Sequence, residues 1–322
     1  MKFGLLVYWD KVRNIGDYIQ SLAVRPFLPQ VDSFVNRESL SAFSGDEHKL
    51  ILNGWYIHNP LNWPPSSRIN PLIISFHISP KNKDLLLNNK SVEYYKLHEP
   101  IGCRDLDTLK LLQAKGIDAY FSGCMTLTLD KNLYVDENYQ DKIIFSDVLY
   151  NMARYNPNTS VKTIIRRLFR TPKVIFQAWK KKRLISKLFP DKIRKEAKYV
   201  IQERSLKKYT HEERFEVATD FLKQLANAKL VVTSRLHTAL PCLAFGTPVI
   251  FVDGQLDSKF DSSRLSSYTE SMLNTIGIEE IQKKSASELH EIVNRYAQGN
   301  PEKHLKYRND LINSVQKFIL QE

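Results

Sequence analysis

Short apolar segments alternate with segments of helical apolar spacing along the first 130 residues. Continuously apolar runs predict buried strands at 3–9, 31–35, 49–52, 71–77, 101–105 and 117–121. Helical spacing follows at 18–23 and at 108–115, where Gly116 is expected to end the helix. Strands that alternate with helices are typical of βαβ units, so this half predicts a parallel sheet.

The same alternation returns after residue 141. Strands are predicted at 142–145, 199–202, 230–234 and 248–252, and helices at 210–229, 238–245, 286–297 and 301–320. Thr210 and Glu213 have capping-box spacing at the start of one of these helices. We therefore expect an α/β fold with two Rossmann-like domains facing across a cleft, at 1–138 and 139–300, followed by a C-terminal helix at 301–322.

Positive charge is concentrated in one segment of the chain. The 322 residues carry a net charge of +12, and residues 162–198 alone contain fourteen Lys or Arg against two acidic residues. The rest of the chain is therefore neutral overall. Apolar pairs recur at helical spacing at 164/165 and 168/169, and again at 184/185 and 188/189. This pattern predicts basic amphipathic helices that form an insertion at about 158–198.

Three interpretations of this insertion are open: an anionic membrane surface as partner, a nucleic-acid footprint, and a solvated insertion. The interleaved aromatic residues Phe169, Phe176 and Trp179 favour the membrane, and no nucleic-acid partner is expected. The membrane-contact candidates are Arg166, Arg167, Lys180, Lys181, Lys182 and Arg183.

Composition excludes several classes of protein. With 43% hydrophobic and 25% charged residues, a packed core is feasible. Three widely spaced cysteines exclude a disulfide scaffold and a zinc ribbon, and they favour reduced thiols in the cytoplasm. The first apolar run is too short for a signal peptide or a membrane span. No metal-ligand spacing and no G-x-G-x-x-G motif is present, so neither a metal nor a cofactor is expected.

Polar clusters follow four of the predicted strands. In open parallel sheets ligands bind at the carboxyl ends of strands, so these clusters indicate a binding site. They are Asn14-Ile-Gly16-Asp17, Asn53-Gly54, Arg104-Asp105 and Arg235-Leu-His237.

Arg235 and His237 lie in the turn before a helix, where free N–H groups and two basic side chains favour a phosphate or carboxylate. Alternatively, both residues are structural: Arg235 caps the sheet edge, and His237 forms its hydrogen bond with a backbone group. Arg104 could bind an anion with its guanidinium or form an ion pair with Asp105. Gly16 is expected to supply a permissive φ.

The segments that carry these residues resemble the polysaccharide pyruvyl transferase family. They are Asn14-Ile-Gly-Asp-Tyr-Ile-Gln20, Gly102-Cys-Arg-Asp-Leu-Asp-Thr-Leu109 and Leu230-Val-Val-Thr-Ser-Arg-Leu-His-Thr-Ala239, which runs on to Phe245-Gly-Thr-Pro-Val-Ile250. The resemblance covers about residues 1–130 and 195–255. It implies a GT-B-like fold and transfer of a pyruvyl group from phosphoenolpyruvate to a sugar of a cell-surface glycan. It also implies that Arg104, Arg235 and His237 match catalytic positions.

The chemistry of phosphoenolpyruvate agrees with this resemblance, because its phosphate and carboxylate need at least two cationic anchors. Arg104 and Arg235 are the expected anchors, His237 the expected acid or base, and Asp105 a weaker candidate for the base. The remaining candidates for substrate binding are Asn14, Gly16, Asp17, Gln20, Asn53, Gly54, Trp55, His77, Asp105, Ser234 and Leu236.

Two other functions remain open at this level. The same turn would hold the phosphates of a nucleotide-sugar in a GT-B-like glycosyltransferase, and a non-catalytic protein could use only the basic insertion. For the pyruvyl transferase, the expected partners are phosphoenolpyruvate, a glycan or its lipid-linked precursor as acceptor, and an anionic membrane. The expected location is the cytoplasm, with peripheral association at the inner membrane face left open.

Overall fold

Two parallel sheets form the frame of the protein, flanked by helices. The computed structural model describes residues 1–9, 11–139, 141–150, 152, 172–203, 205–254 and 265–321, with only the backbone at 172–174. The strands are β1 (Lys2–Val7), β2 (Ser33–Asn36), β3 (His48–Tyr56), β4 (Ile69–Ile78), β5 (Ile101–Cys103), β6 (Ala119–Phe121), β7 (Ile143–Ser146), β8 (Lys198–Val200), β9 (Leu230–Thr233), β10 (Val249–Asp253) and β11 (Asn274–Gly277).

Helices connect most of these strands and cover the sheets. They are α1 (Gly16–Val24), α2 (Lys83–Leu86), α3 (Asn89–Leu97), α4 (Leu106–Gln113), α5 (Pro172–Leu188), α6 (Asp191–Glu196), α7 (His211–Ala226), α8 (Leu236–Phe245), α9 (Ile278–Lys283), α10 (Ala286–Tyr296) and α11 (His304–Leu320). Short 3₁₀ helices lie at Arg25–Phe27, Arg37–Ala42, Pro60–Asn62, Pro80–Asn82, Met125–Thr128 and Lys131–Leu133.

The first sheet has the order β2-β1-β3-β4-β5-β6, and the second has the order β11-β10-β9-β7-β8. Neighbouring strands pair in parallel in both sheets. The central strands are almost wholly buried because their continuously apolar runs face helices on both sides. The predicted α/β fold with two Rossmann-like halves is confirmed.

Local signals placed several helix ends correctly. Thr210 and Glu213 form the reciprocal hydrogen bonds of a capping box at the start of α7, as predicted. Asp105 caps α4, and Gly246 ends α8 in the left-handed region. Asp17 does not cap α1: the helix begins one residue earlier, and the Asn14 side chain accepts the Gly16 N–H instead.

Some elements differ from the prediction. Strand β3 does not stop at residue 52 but continues through Asn53 and Gly54, where its register against β4 shifts. Strand β11 and the helices α2, α3 and α9 were not predicted, because they are short and carry no sustained apolar period.

The basic insertion is largely part of the second core where the structure describes it. Helix α5 exists at the predicted place, but its residues Leu184, Ile185 and Leu188 are buried in a cluster with the second sheet. Its predicted amphipathic face therefore packs on the protein itself. Lys181 corrects the prediction of a membrane contact, because it is buried and its Nζ donates to the Leu149 carbonyl oxygen at 3.3 Å. Arg166, Arg167 and the apolar pairs at 164–169 lie outside the described residues.

Helix α11 returns from the second half to the first sheet. Lys49, buried in β3, donates from Nζ to the carbonyl oxygens of Phe318 at 3.0 Å and Ile319 at 3.3 Å, and also to that of Gln321. Tyr307 packs edge-on against Phe121 of β6, with ring centroids 5.2 Å apart. The C-terminal helix is thus attached to the domain formed by the start of the chain.

The three cysteines are free thiols buried in the described core. Within the described ranges, no helix has the length and hydrophobicity that crossing a membrane requires.

Candidate functional site

A small pocket lies where the carboxyl ends of strands from both sheets meet. Its volume is about 80 Å³. It is lined by Asn14, Arg104, Tyr150, Gln202, Ser234, Arg235, Leu236, His237 and Leu265. Six of these residues were candidates from the sequence: Asn14, Arg104, Ser234, Arg235, Leu236 and His237. Arg104 of the first half and Arg235 of the second therefore border one cavity, as the resemblance implies.

Arg235 follows β9, and three side chains of the second half hold it in place. Its Nη2 lies 3.0 Å from Glu203 Oε2, and its Nε lies 3.4 Å from Asp147 Oδ2. The guanidinium also stacks on Tyr150, 3.7 Å from the ring centroid. Both carboxylates pair with Arg235, so an incoming anion has to compete with both. Glu203, whose side chain is 43% exposed, is the more accessible of the two.

Gly16 brings the starts of α1 and α8 together. A Cβ at this position would lie 2.4 Å from Gln202 Nε2 and 2.7 Å from His237 Nδ1. The expectation that Gly16 supplies a permissive φ is wrong, because its φ is not positive. Glycine is required here for close approach, since it lets His237 and Gln202 reach the first helix.

Gln202 links the two halves at this point. Its Nε2 donates to Asn14 Oδ1 at 2.6 Å, and its Oε1 accepts from the Thr238 hydroxyl at 2.9 Å. Asn14 also forms a β-bridge with Glu203. The loop after β1, the loop after β8 and the first turn of α8 are therefore held as one unit around the pocket.

Arg104 is 3% exposed and is directed by Gln20 of α1. Its Nη1 donates to Gln20 Oε1 at 3.1 Å, and its Nε has no hydrogen-bond partner among the described residues. Gly54, with φ of +97°, makes room for Gln20, since a Cβ there would lie 2.9 Å from Gln20 Oε1. Asn53 Nδ2 donates to the Gln20 carbonyl oxygen at 3.2 Å. Asn53 and Gly54 thus contact Gln20, while Arg104 borders the cavity.

Asp105 and His77 form a buried pair next to the pocket. His77 Nδ1 lies 2.5 Å from Asp105 Oδ2, and the other carboxylate oxygen accepts the Thr108 N–H. Burial alone would raise the pKa of Asp105, but the His77 hydrogen bond and the positive charge of Arg104 outweigh it and lower this pKa to about 2. This geometry corrects the candidate role of Asp105 as a base, because a capped and strongly acidic carboxylate is a poor proton acceptor.

Arg37 was not a candidate from the sequence, yet it lies against Asp17 and Trp55. It is fully buried, with Nη1 3.7 Å from Asp17 Oδ2 and its guanidinium 5.3 Å from the Trp55 ring centroid. Burial raises the pKa of Asp17, and the opposing effects of Arg37 and Arg104 do not cancel it. No local pattern marks Arg37, because it lies in an isolated 3₁₀ helix.

Ser234 is mainly a structural residue. Its hydroxyl donates to the Val252 carbonyl oxygen at 2.5 Å and accepts the Leu149 N–H at 2.9 Å. These bonds join β9 to β10 and to the loop after β7, directly behind Arg235.

A family model for polysaccharide pyruvyl transferases matches residues 14–255. The chain belongs to the polysaccharide pyruvyl transferase family. The matched range begins at the Asn14 turn and includes the Arg104, Arg235 and His237 positions that line the pocket. Membership in this family makes the protein a transferase that acts on polysaccharide.

No curated protein is significantly similar to this family member in sequence. An uncharacterized Klebsiella pneumoniae protein of known structure is 15% identical, with coverage of 83% of this chain and 88% of that chain and a TM-score of 0.46. The Methanocaldococcus jannaschii UDP-GlcNAc 2-epimerase, solved with UDP-GlcNAc and UDP, is 12% identical, with 98% and 100% coverage and a TM-score of 0.42. The E. coli ADP-heptose lipopolysaccharide heptosyltransferase II is 11% identical, with 92% and 99% coverage and a TM-score of 0.31. Scores this low support no inference about activity.

Proposed function

We propose that the protein transfers a pyruvyl group from phosphoenolpyruvate to a sugar of a surface glycan and forms a cyclic ketal. The observation that carries this proposal is that Arg104 and Arg235, from opposite sheets, border one pocket with His237. A donor with a phosphate and a carboxylate matches two cationic anchors that come from different sheets. We take the cleft to lie between domains 1–138 and 139–300.

The proposed reaction adds two sugar hydroxyls to C2 of the donor. His237 supplies the proton that converts the enol carbon C3 into a methyl group, while the first hydroxyl attacks C2 and returns its proton to His237. The proton of the second hydroxyl leaves with the phosphate. The C2–O bond to phosphate then breaks, and inorganic phosphate leaves against the arginines. Attack of the second hydroxyl on C2 closes the ketal. The glycan gains one pyruvate less one water.

Thermal unfolding with phosphoenolpyruvate tests the donor. A ligand at about 100 times its Kd stabilises the folded state by about 2.7 kcal/mol, which a melting curve resolves. We expect this shift in the wild type and its loss in Arg235→Ala. Lys306→Ala serves as control, because this exposed lysine on α11 lies outside the pocket. A shift with nucleotide-sugars alone would reject phosphoenolpyruvate and favour a glycosyltransferase.

We further propose that the exposed face of α5 contacts an anionic membrane at the cytoplasmic side, where a lipid-linked acceptor would be presented. Phe176 is 62% exposed and Trp179 is 55% exposed, with stacked rings 6.3 Å apart. Arg183 lies over the Trp179 ring at 5.6 Å, and Lys182 is exposed beside it. Aromatic rings beside cations suit an anionic lipid surface.

Point variants test this membrane contact, because deleting the insertion would also remove core residues of α5. We expect Phe176→Ser with Trp179→Ser to weaken sedimentation with phosphatidylcholine–phosphatidylglycerol vesicles at least about tenfold. Leu133→Ser with Val135→Ser is the control, since both residues are exposed and lie outside α5. Equal vesicle binding by both double variants would reject the contact.

A further inference from the structure

Three aromatic rings form an exposed shelf at the carboxyl ends of β1 and β3. We name Trp9, Trp55 and His58 the aromatic shelf. The His58 ring centroid lies 4.6 Å from that of Trp55 and 6.0 Å from that of Trp9. Trp9 is 41% exposed, and Lys11 Nζ lies 4.4 Å from its ring centroid. The three adjoining rings form a partly exposed apolar surface that a ligand can contact.

The aromatic shelf is connected to the donor pocket by a continuous chain of contacts. Arg37 touches both Trp55 and Asp17, as described above. Gln20 Nε2 lies 3.4 Å from Asp17 Oδ1, and Gln20 Oε1 accepts from Arg104. These linking side chains are mostly buried, but Trp9 follows β1, Trp55 lies near the end of β3 and Arg104 follows β5. The shelf and the cation that is proposed to hold the donor therefore lie at the same carboxyl edge of the first sheet.

The chemistry of this surface fits a pyranose ring. One face of a pyranose presents C–H bonds of partial positive charge, which pack on the negative face of an aromatic ring. The hydroxyls at the rim of the sugar need polar partners, and Asp17 offers a carboxylate that is 14% exposed. Lys11 covers Trp9 only through an exposed cation–π contact, which a ligand can displace at low cost.

We propose that the aromatic shelf binds a pyranose ring of the acceptor glycan and presents its hydroxyls to the donor pocket. This inference rests on the proposed function for the identity of the donor. Trp55 also packs on buried Arg37, so its removal would disturb the fold. Trp9 is the better residue to change. Its hydrogen bonds to Arg214 and to the Val12 N–H are made by its backbone carbonyl oxygen, which a substitution retains.

The experiment measures binding of methyl β-pyranosides by saturation-transfer difference NMR, using the glucoside, the galactoside and the N-acetylglucosaminide. We expect at least one of them to bind the wild type and to bind Trp9→Ala about twofold to tenfold more weakly. Trp9→Phe should retain most of the affinity, because it keeps an aromatic face. Trp179→Ala is the matched control, since this tryptophan is similarly exposed on α5.

Two results would overturn the inference: no pyranoside binding to the folded wild type, or equal binding by the wild type and Trp9→Ala. Thermal unfolding with phosphoenolpyruvate, run on the same samples, separates this inference from the proposed function. We expect the shift to be unchanged in Trp9→Ala. If pyranosides bind through Trp9 but phosphoenolpyruvate causes no thermal shift, the proposed donor is wrong and the aromatic shelf remains a sugar site.

Discussion

Replacing Gly16 with alanine should damage the donor site far more than the fold. The added Cβ would lie 2.4 Å from Gln202 Nε2 and 2.7 Å from His237 Nδ1, whereas ordinary contacts begin at 3.4 Å. Both side chains must therefore retreat, the first by about 1 Å, a misplacement that matters in a reactive site. Because these are the ends of side chains, the backbone can stay in place.

The expected cost in stability is small. Alanine is favoured over glycine in a helix by up to about 1 kcal/mol, and overpacking costs about 1–3 kcal/mol. The free energy of unfolding should therefore fall by about 0–2 kcal/mol. A hydrogen bond that His237 donates to a charged oxygen of phosphoenolpyruvate is worth about 1.5–3 kcal/mol, so its loss should raise the Kd for phosphoenolpyruvate about 10- to 150-fold.

Isothermal titration calorimetry with phosphoenolpyruvate measures this Kd, and urea unfolding measures the stability. Gly277→Ala is the matched control, because a Cβ there meets nothing within 4 Å and its φ of −79° suits alanine. If Gly16→Ala binds phosphoenolpyruvate with wild-type affinity, the close approach of His237 to Gly16 is not needed for the donor site, and the reasoning is refuted. An equal loss in Gly277→Ala would show that the effect is not local.

Three further changes have defined outcomes. Glu203→Gln should tighten phosphoenolpyruvate binding about 1.4-fold to fivefold, because a partly exposed ion pair with Arg235 is worth about 0.2–1 kcal/mol. Weaker binding in calorimetry would mean that Glu203 instead holds Arg235 in its binding position. Asp105 has its pKa lowered to about 2, so its contribution to stability is complete above its unfolded pKa of about 3.9 and is lost as the pH falls towards 2. Asp105→Asn should therefore be about 2–3 kcal/mol less stable in urea at pH 6, with a difference that shrinks below pH 4, and a constant difference would contradict the assignment. Lys49→Met should lose about 1.5–3 kcal/mol of stability through its charged hydrogen bonds to the end of α11, whereas Lys306→Met on the exposed face of that helix should lose almost none.

Strands were predictable where burial on both faces leaves a continuous apolar run, as at Leu230–Thr233. Arg104, Arg235 and His237 were also predictable, because each follows a strand whose carboxyl end must face the cleft. The hydrogen bonds and ion pairs that hold these side chains in place were not predictable. Gln202 and Tyr150 line the pocket and Glu203 pairs with Arg235 through contacts between distant segments, and local sequence carries no signal for such contacts.

The dependence on contacts between distant segments also explains why the predictions for Asp105, Lys181 and Gly16 were wrong. Asp105 and Thr108 have helix-cap spacing, which the sequence shows, but the His77 partner is 28 residues away in β4. Lys181 lies in a run of basic residues that predicts exposure. It is nevertheless buried, and a carbonyl oxygen in the loop after β7 accepts the hydrogen bond of its ammonium group. Close approach at Gly16 likewise depends on side chains from α8 and from the loop after β8.

The attachment of α11 to Lys49 has a consequence for synthesis of the chain. Lys49 and the Gln321 carbonyl are 272 residues apart, and the first sheet leaves the ribosome long before its last partner. At about 5–20 residues per second, Lys49 waits about 15–55 s for the end of α11. During that interval the nascent first domain exposes an uncompensated ammonium group and the apolar surface that α11 later covers. A chaperone that covers this surface would therefore act between synthesis of the first sheet and emergence of α11.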